Sequence, residues 1–292
     1  MPPLYRQIRA RAAMPTPDIA RSRKSPQFPD LRDRAISGVG MAALALICLY
    51  SGGMAWSFLL FMVGIGLAME WGKLTAGSID SGGTALLAAS IGIAVIAFAV
   101  QCPQAGVAAL AFGFVALLAW ARKPLLAAGV PCIGAAVAAL WWMRADPDVG
   151  FANVLFAVTV VCGSDIGAYM TGRAIGGRKL APAISPGKTL SGAVGGLVCA
   201  GLAGVGIAAW WANAGNGGRI GQAALLAVLI GVVAQAGDLA ESWLKRHVGA
   251  KDSSHLIPGH GGLLDRLDAV MAVAPVAAIL AFTLGRGGVL WK

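Results

Sequence analysis

Polar residues in this chain come in short clusters, and long stretches of uninterrupted apolar residues run between them. These stretches do not alternate with a period of two, as barrel strands do. They are continuous, as expected of a helix surrounded by lipid, where backbone groups must be satisfied within the segment itself. An apolar helix needs about 20 residues to cross a bilayer. Nine spans are expected on that rule, at 36–51, 54–71, 84–101, 104–121, 124–143, 150–172, 189–212, 220–244 and 264–284. The first two are short and divided only by Ser51-Gly52-Gly53, which also allows a single re-entrant pair. The reading is an all-α, polytopic integral membrane protein with about nine transmembrane helices.

Composition supports this class. The chain is 58% hydrophobic and 12% charged, whereas a soluble domain carries about 25% charged residues. The net charge of +10 could suggest nucleic acid, but the chain between the basic clusters is apolar. Membrane orientation and contact with anionic lipid or nucleotide explain it better, so no nucleic-acid partner is expected. With nine spans and a cytoplasmic N-terminus, 19 of the 23 Lys and Arg fall on the cytoplasmic side. The other four are Arg144, Arg219, Arg286 and Lys292. Such a split is a strong positive-inside signal.

Residues 1–34 are polar, basic and proline-containing, with no cleavable apolar core. They read as a poorly ordered cytoplasmic tail, with Asp30–Arg34 at the membrane surface, ahead of a transmembrane domain at 35–292. The five cysteines lie singly in apolar stretches with no CxxC pair, and read as small buried hydrophobes. Trp141-Trp142 and Trp210-Trp211 read as interfacial anchors. Glycine-rich runs such as Gly192–Gly196 suit close helix packing.

Several acids lie in or beside the apolar spans, where an uncompensated carboxylate costs at least about 2.5 kcal/mol. Asp238 and Glu241 are three apart on one helical face, followed by Ser242, Lys245 and Arg246. Asp265 and Asp268 repeat that spacing around Arg266. A purely structural ion-pair network with Lys245, Arg246 and Arg266 is one reading. All three histidines, His247, His255 and His260, fall between these helix ends. The run Pro258-Gly259-His260-Gly261-Gly262 must be a shaped turn. Upstream, Ser185, Lys188 and Thr189 precede a helix start whose free N–H groups could cradle phosphate. This is not a P-loop, because Pro182 stands where the first glycine belongs. Asp165 and Tyr169 share a face in the sixth span, and Arg173 extends it. Carboxylates that bind Mg²⁺, together with bases that bind phosphate, suggest metal-assisted phosphoryl or nucleotidyl transfer at a lipid headgroup.

The stretch from Ser242 to Asp268 resembles, over 27 residues, the signature of the phosphatidate cytidylyltransferases, or CDP-diacylglycerol synthases. It contains Lys245-Arg246, Lys251-Asp252, Pro258-Gly259-His260-Gly261-Gly262 and Asp265-Arg266. Ile184–Thr189, Asp165 with Ala168-Tyr169, and Gly237-Asp238 with Glu241-Ser242 resemble that family as well, and the likeness runs over about residues 30–285. The chain departs from the family pattern at Ile166, where Ser or Thr is common. It departs again at Leu190-Ser191, where an aromatic and then an acid or amide are common.

The resemblance implies CMP transfer from CTP to phosphatidic acid, with Mg²⁺ on Asp238 and Asp265 and a second cation conceivable. Asp238, Asp265, Asp268, His260 and Lys251 are the expected catalytic residues. Ser185, Lys188, Thr189, Asp165, Tyr169, Ser242, Lys245, Arg246 and Arg266 are the expected substrate contacts. CTP, phosphatidic acid, membrane lipid and a second copy of the chain are the expected partners. The expected location is the inner membrane, with the active site cytoplasmic. A CTP-dependent lipid kinase or a CDP-archaeol-type synthase would use similar parts. An ion-coupled transporter fits less well, because the acids gather at one membrane face and no internal repeat is visible.

Overall fold

The computed structural model describes residues 29–77, 82–250, 254, 261–285 and 288–292, with side chains from residue 38 onward except those of Trp120 and Ala121. Helices α1 (Pro29–Ser51), α2 (Gly53–Ala76) and α3 (Gly82–Ala99) come first. Then follow α4 (Pro103–Ala116), continued by a π-helical turn over Leu117–Ala121, and α5 (Pro124–Ala127) running into α6 (Gly129–Ala145). After α7 (Gly150–Ile175) a hairpin of β1 (Lys179–Ala181) and β2 (Ser185–Thr189) precedes α8 (Leu190–Asn213). Helices α9 (Ile220–His247) and α10 (Leu264–Leu280) complete the bundle, α10 running on as a π-helical turn over Ala281–Gly285.

All nine expected spans are helical. Among the described residues seven helical segments are long and apolar enough to cross a membrane, and two, Gly38–Ser51 and Pro103–Ala119, are shorter. The chain is an integral membrane protein. Most of the expected tail, 1–34, lies outside the described residues, and helix α1 already includes Pro29–Arg34.

The break between α1 and α2 is made by Gly52, at φ 63° and ψ −157°, a conformation that a side chain disfavours. A methyl there would lie 2.5 Å from the Arg144 guanidinium. That guanidinium donates to Leu49 O at 2.6 Å and Tyr50 O at 3.1 Å, so a cation caps the carbonyl end of α1.

Contacts sort the helix ends into two sets. At one end Arg144 meets α1, Asn153 Oδ1 accepts from Leu290 N, and Arg219 N donates to Trp291 O. At the other, Trp71 Nε1 donates to Leu125 O, Glu70 accepts from Leu263 N, and Lys188 pairs with Asp238. The second set joins loops that the charge pattern assigns to a single membrane face.

Helices α7 and α8 cross closely because small residues line the crossing. A methyl on Gly167 would sit 2.6 Å from Cys199 Sγ, and one on Gly196 2.8 Å from Ser164 O. Side chains such as Ile91, Ile133, Phe156 and Ile230 fill the interior, while Phe112, Leu202 and Phe58 stay exposed for lipid.

The hairpin was not expected, since 185–189 reads as a polar approach to a helix. Its strands are antiparallel, pairing Lys179 with Thr189 and Ala181 with Ser185. An isolated hairpin is marginal. This one is held by Leu190 N donating to Arg178 O at 2.8 Å, by Arg246 Nε donating to Ile184 O at 3.4 Å, and by the Lys188 ion pair.

Candidate active site

Four elements, α7, the hairpin, α8 and α9, converge on a cavity of about 510 Å³. Helix α7 contributes Asp165, Tyr169 and Arg173, one turn apart on one face. The hairpin contributes Lys188, and α9 contributes Gln235 and Asp238, three apart. Lys188 Nζ lies 2.5 Å from Asp238 Oδ2, and both side chains keep access to solvent. Asp165 and Asp268 are within electrostatic reach of Asp238, and Lys188 is the cation that acts on all three.

The cavity floor is the start of α8. Thr189 Oγ1 accepts from Gly192 N at 3.1 Å and so caps that helix. It also lies 3.1 Å from Ser191 Oγ, which donates to Gly176 O. One of the departures from the family pattern, Ser191, therefore ties α8 to the end of α7. With Leu190 N and Gly192 N already bonded, the helix start offers fewer free amides to phosphate than the sequence suggested, and more of the task rests on Lys188.

A second cluster lies about two turns further along α9. Lys245 Nζ sits between Glu241 Oε2 at 2.7 Å and Asp265 Oδ1 at 2.9 Å. Asp265 Oδ2 accepts from Gly262 N at 3.3 Å. An apolar cavity of about 400 Å³ runs from here between α6, α9 and α10, lined by Glu241 and Asp268 at its polar part and by Trp71, Leu244 and Met271. The two cavities share the turn of α9 at Gly237 and Asp238.

The structure brings Asp165, Tyr169, Lys188, Thr189 and Asp238 to the first cavity, and Asp268 to the second. Lys245 and Asp265 meet each other. Ser185 pairs with Ala181 in the hairpin, Arg246 reaches the hairpin turn at Ile184, Ser242 is half-buried on α9, and Arg266 is exposed on α10. Lys251, His255 and His260 lie outside the described residues. His247 stacks on Trp243, with ring centroids 5.2 Å apart.

Two residues escaped the sequence reading as site residues. Gln235 Nε2 donates to Ala193 O at 3.0 Å, bridging α9 to α8 at the cavity wall. Its signal was its place one turn before Asp238. Glu70, on α2, accepts from three donors around the start of α10, and no local pattern marks it.

The donors suit a hard divalent cation. Among the described residues no three His, Cys, Asp or Glu side chains form a ready metal cage. Mg²⁺ does not ask for one: it binds through one or two carboxylates and completes its shell with water and substrate phosphates. Asp165, Asp238 and Asp268 gather around Lys188, and carboxylates are the ligands that such a cation takes.

The model of the cytidylyltransferase family matches residues 32–284. A phosphatidate cytidylyltransferase of Brucella suis biovar 1 is 38% identical over 252 residues, covering 84% of this chain and 91% of that protein. One from Haemophilus influenzae is 41% identical over 142 residues, 47% of this chain and 48% of that protein. One from Pseudomonas aeruginosa is 42% identical over 139 residues, 46% of this chain and 49% of that protein.

Proposed function

The chain belongs to the cytidylyltransferase family, and from that premise we propose how its two clusters make CDP-diacylglycerol. The protein is a membrane nucleotidyltransferase that joins CMP from CTP to phosphatidate and releases diphosphate. The observation that carries the site assignment is the 510 Å³ cavity in which Lys188 and Asp238 face each other with Asp165, Tyr169 and Arg173.

The lipid phosphate monoester is anionic near neutral pH, so no strong base is needed. One of its oxygens attacks the α-phosphorus of CTP in line, and the bond from that phosphorus to the bridging α–β oxygen breaks. The diphosphate leaves with the bonding electrons. Lys188 and Arg173 bind the triphosphate, with Arg246 and Lys251 as further phosphate donors and His260 donating to a phosphate oxygen. Thr189 fixes the hairpin and α8 so that Lys188 is held at the cavity. Tyr169 and Ser185 flank the nucleotide. Asp238 and Asp265 would hold Mg²⁺, and Asp268 would hold a second cation or orient Arg266. A cation held there would supply charge neutralisation to the phosphates of both reactants. Lys245 fixes the Asp265 carboxylate. Ser242 and Arg266 lie where the lipid phosphate enters. The neighbouring apolar cavity suits the chains of an amphiphile.

The site faces the cytoplasm of the inner membrane in this reading, supported by the basic excess on that side and by the location of CTP. The test is incubation of the purified protein in detergent micelles with phosphatidate and CTP labelled on either the α- or the γ-phosphate. Label from the α-position entering a CDP-lipid, only with Mg²⁺, is the expected result. Transfer of γ-label alone would establish a lipid kinase and overturn the reading.

A further inference from the structure

Glu70 is a carboxylate that the mechanism above does not use. It is 2% exposed, near the end of α2. Glu70 Oε2 accepts from Leu264 N at 2.7 Å, and Oε1 accepts from Leu263 N at 2.8 Å and from Ser254 Oγ at 2.5 Å. The first amides of any helix lack partners within it. At the start of α10 the capping position is occupied by Leu263, which has no side-chain oxygen to offer. In an apolar setting each amide left open costs about 1–3 kcal/mol. A carboxylate from a helix 193 residues away in sequence takes their place, and its charge suits the positive end of the helix.

The cap is also anchored. Trp71, the next residue, is buried and donates from Nε1 to Leu125 O at 2.8 Å. A methyl on Gly72 would collide with Thr84 of α3. The end of α2 is therefore fixed against two neighbours before it meets α10. Helix α10 in turn carries Asp265 in its first turn and Asp268 one turn on.

We propose that Glu70 is a positioning residue for cytidylyl transfer: by capping the amino end of α10 and holding Ser254 on the same carboxylate, it fixes where Asp265 and Asp268 stand. The proposal rests on the reading that these two aspartates act in the reaction. Misplacing a reacting group by about 1 Å costs on the order of 100-fold in rate.

The test uses the full chain in detergent with Glu70→Gln and Glu70→Asp. Gln keeps the size and loses the charge, and Asp keeps the charge one methylene short. Two quantities are read: amide hydrogen exchange along the chain, and kcat and KM for CTP. In Glu70→Gln, faster exchange confined to the peptide spanning residues 261–268 is expected, with a kcat about 100-fold lower and a CTP KM changed by less than about threefold. Glu70→Asp should fall between this variant and the wild type. Local loss of protection with unchanged kcat would overturn the positioning role. Faster exchange throughout the bundle would make Glu70 a general structural residue and overturn it as well. If kcat falls while exchange at 261–268 is unchanged, the cap is not the means, and the proposal also fails. Full activity of Asp265→Asn and Asp268→Asn would instead remove the mechanistic reading, and the exchange result would still report on the cap.

Discussion

The cluster around Lys188 and the cluster around Lys245 use the same residue types for opposite ends. Lys188 and Asp238 keep 25% and 34% of their side-chain surface exposed, and their pair opens on a cavity. Lys245 keeps 15%, against 7% for Glu241 and 19% for Asp265. A lysine with one carboxylate at the mouth of a cavity can exchange that partner for a phosphate. A lysine clamped between two carboxylates is already satisfied, and removing it would take that shared cation from both. The first arrangement binds a ligand, and the second holds Asp265 in place and fixes the helix ends that shape the site.

Breaking the open cluster should give the larger functional effect. Lys188→Ala is expected to lower kcat/KM about 100-fold, mainly through CTP, as steady-state assays in micelles would show. Breaking the closed cluster should appear first in stability. Lys245→Met removes the bridge between buried Glu241 and Asp265, a loss of about 3 kcal/mol that lowers the melting temperature in detergent. Tyr169→Phe sharpens the contrast at the small end. Tyr169 is 68% exposed beside Asp165, and losing one hydroxyl contact should raise the CTP KM by less than about tenfold with no change in melting.

Much of this contrast was legible in the sequence. Apolar runs of about 20 residues are set by bilayer thickness, so the nine helical segments and the three-residue spacing of the acid pairs could be read directly. Which acid meets which base could not. Asp238 and Lys245 are seven apart on one helix, yet they take partners from different elements, the hairpin and α10. The hairpin itself is short, polar and proline-containing, and its pairing depends on contacts with α8 and α9. Glu70 lies in an apolar segment with no neighbour to mark it, because its partners are backbone amides far along the chain. Gln235 carries no charge and shows its place only where α8 and α9 cross.

The central claim is that the reaction takes place at the Lys188–Asp238 cavity and that the Lys245 cluster supports it. The most direct test is turnover per folded protein of Asp238→Asn and Glu241→Gln, measured side by side with α-labelled CTP and phosphatidate. The account predicts a loss of about 1,000-fold or more for Asp238→Asn and less than about tenfold for Glu241→Gln. Near-normal transfer by Asp238→Asn, or equal losses in both, would contradict it.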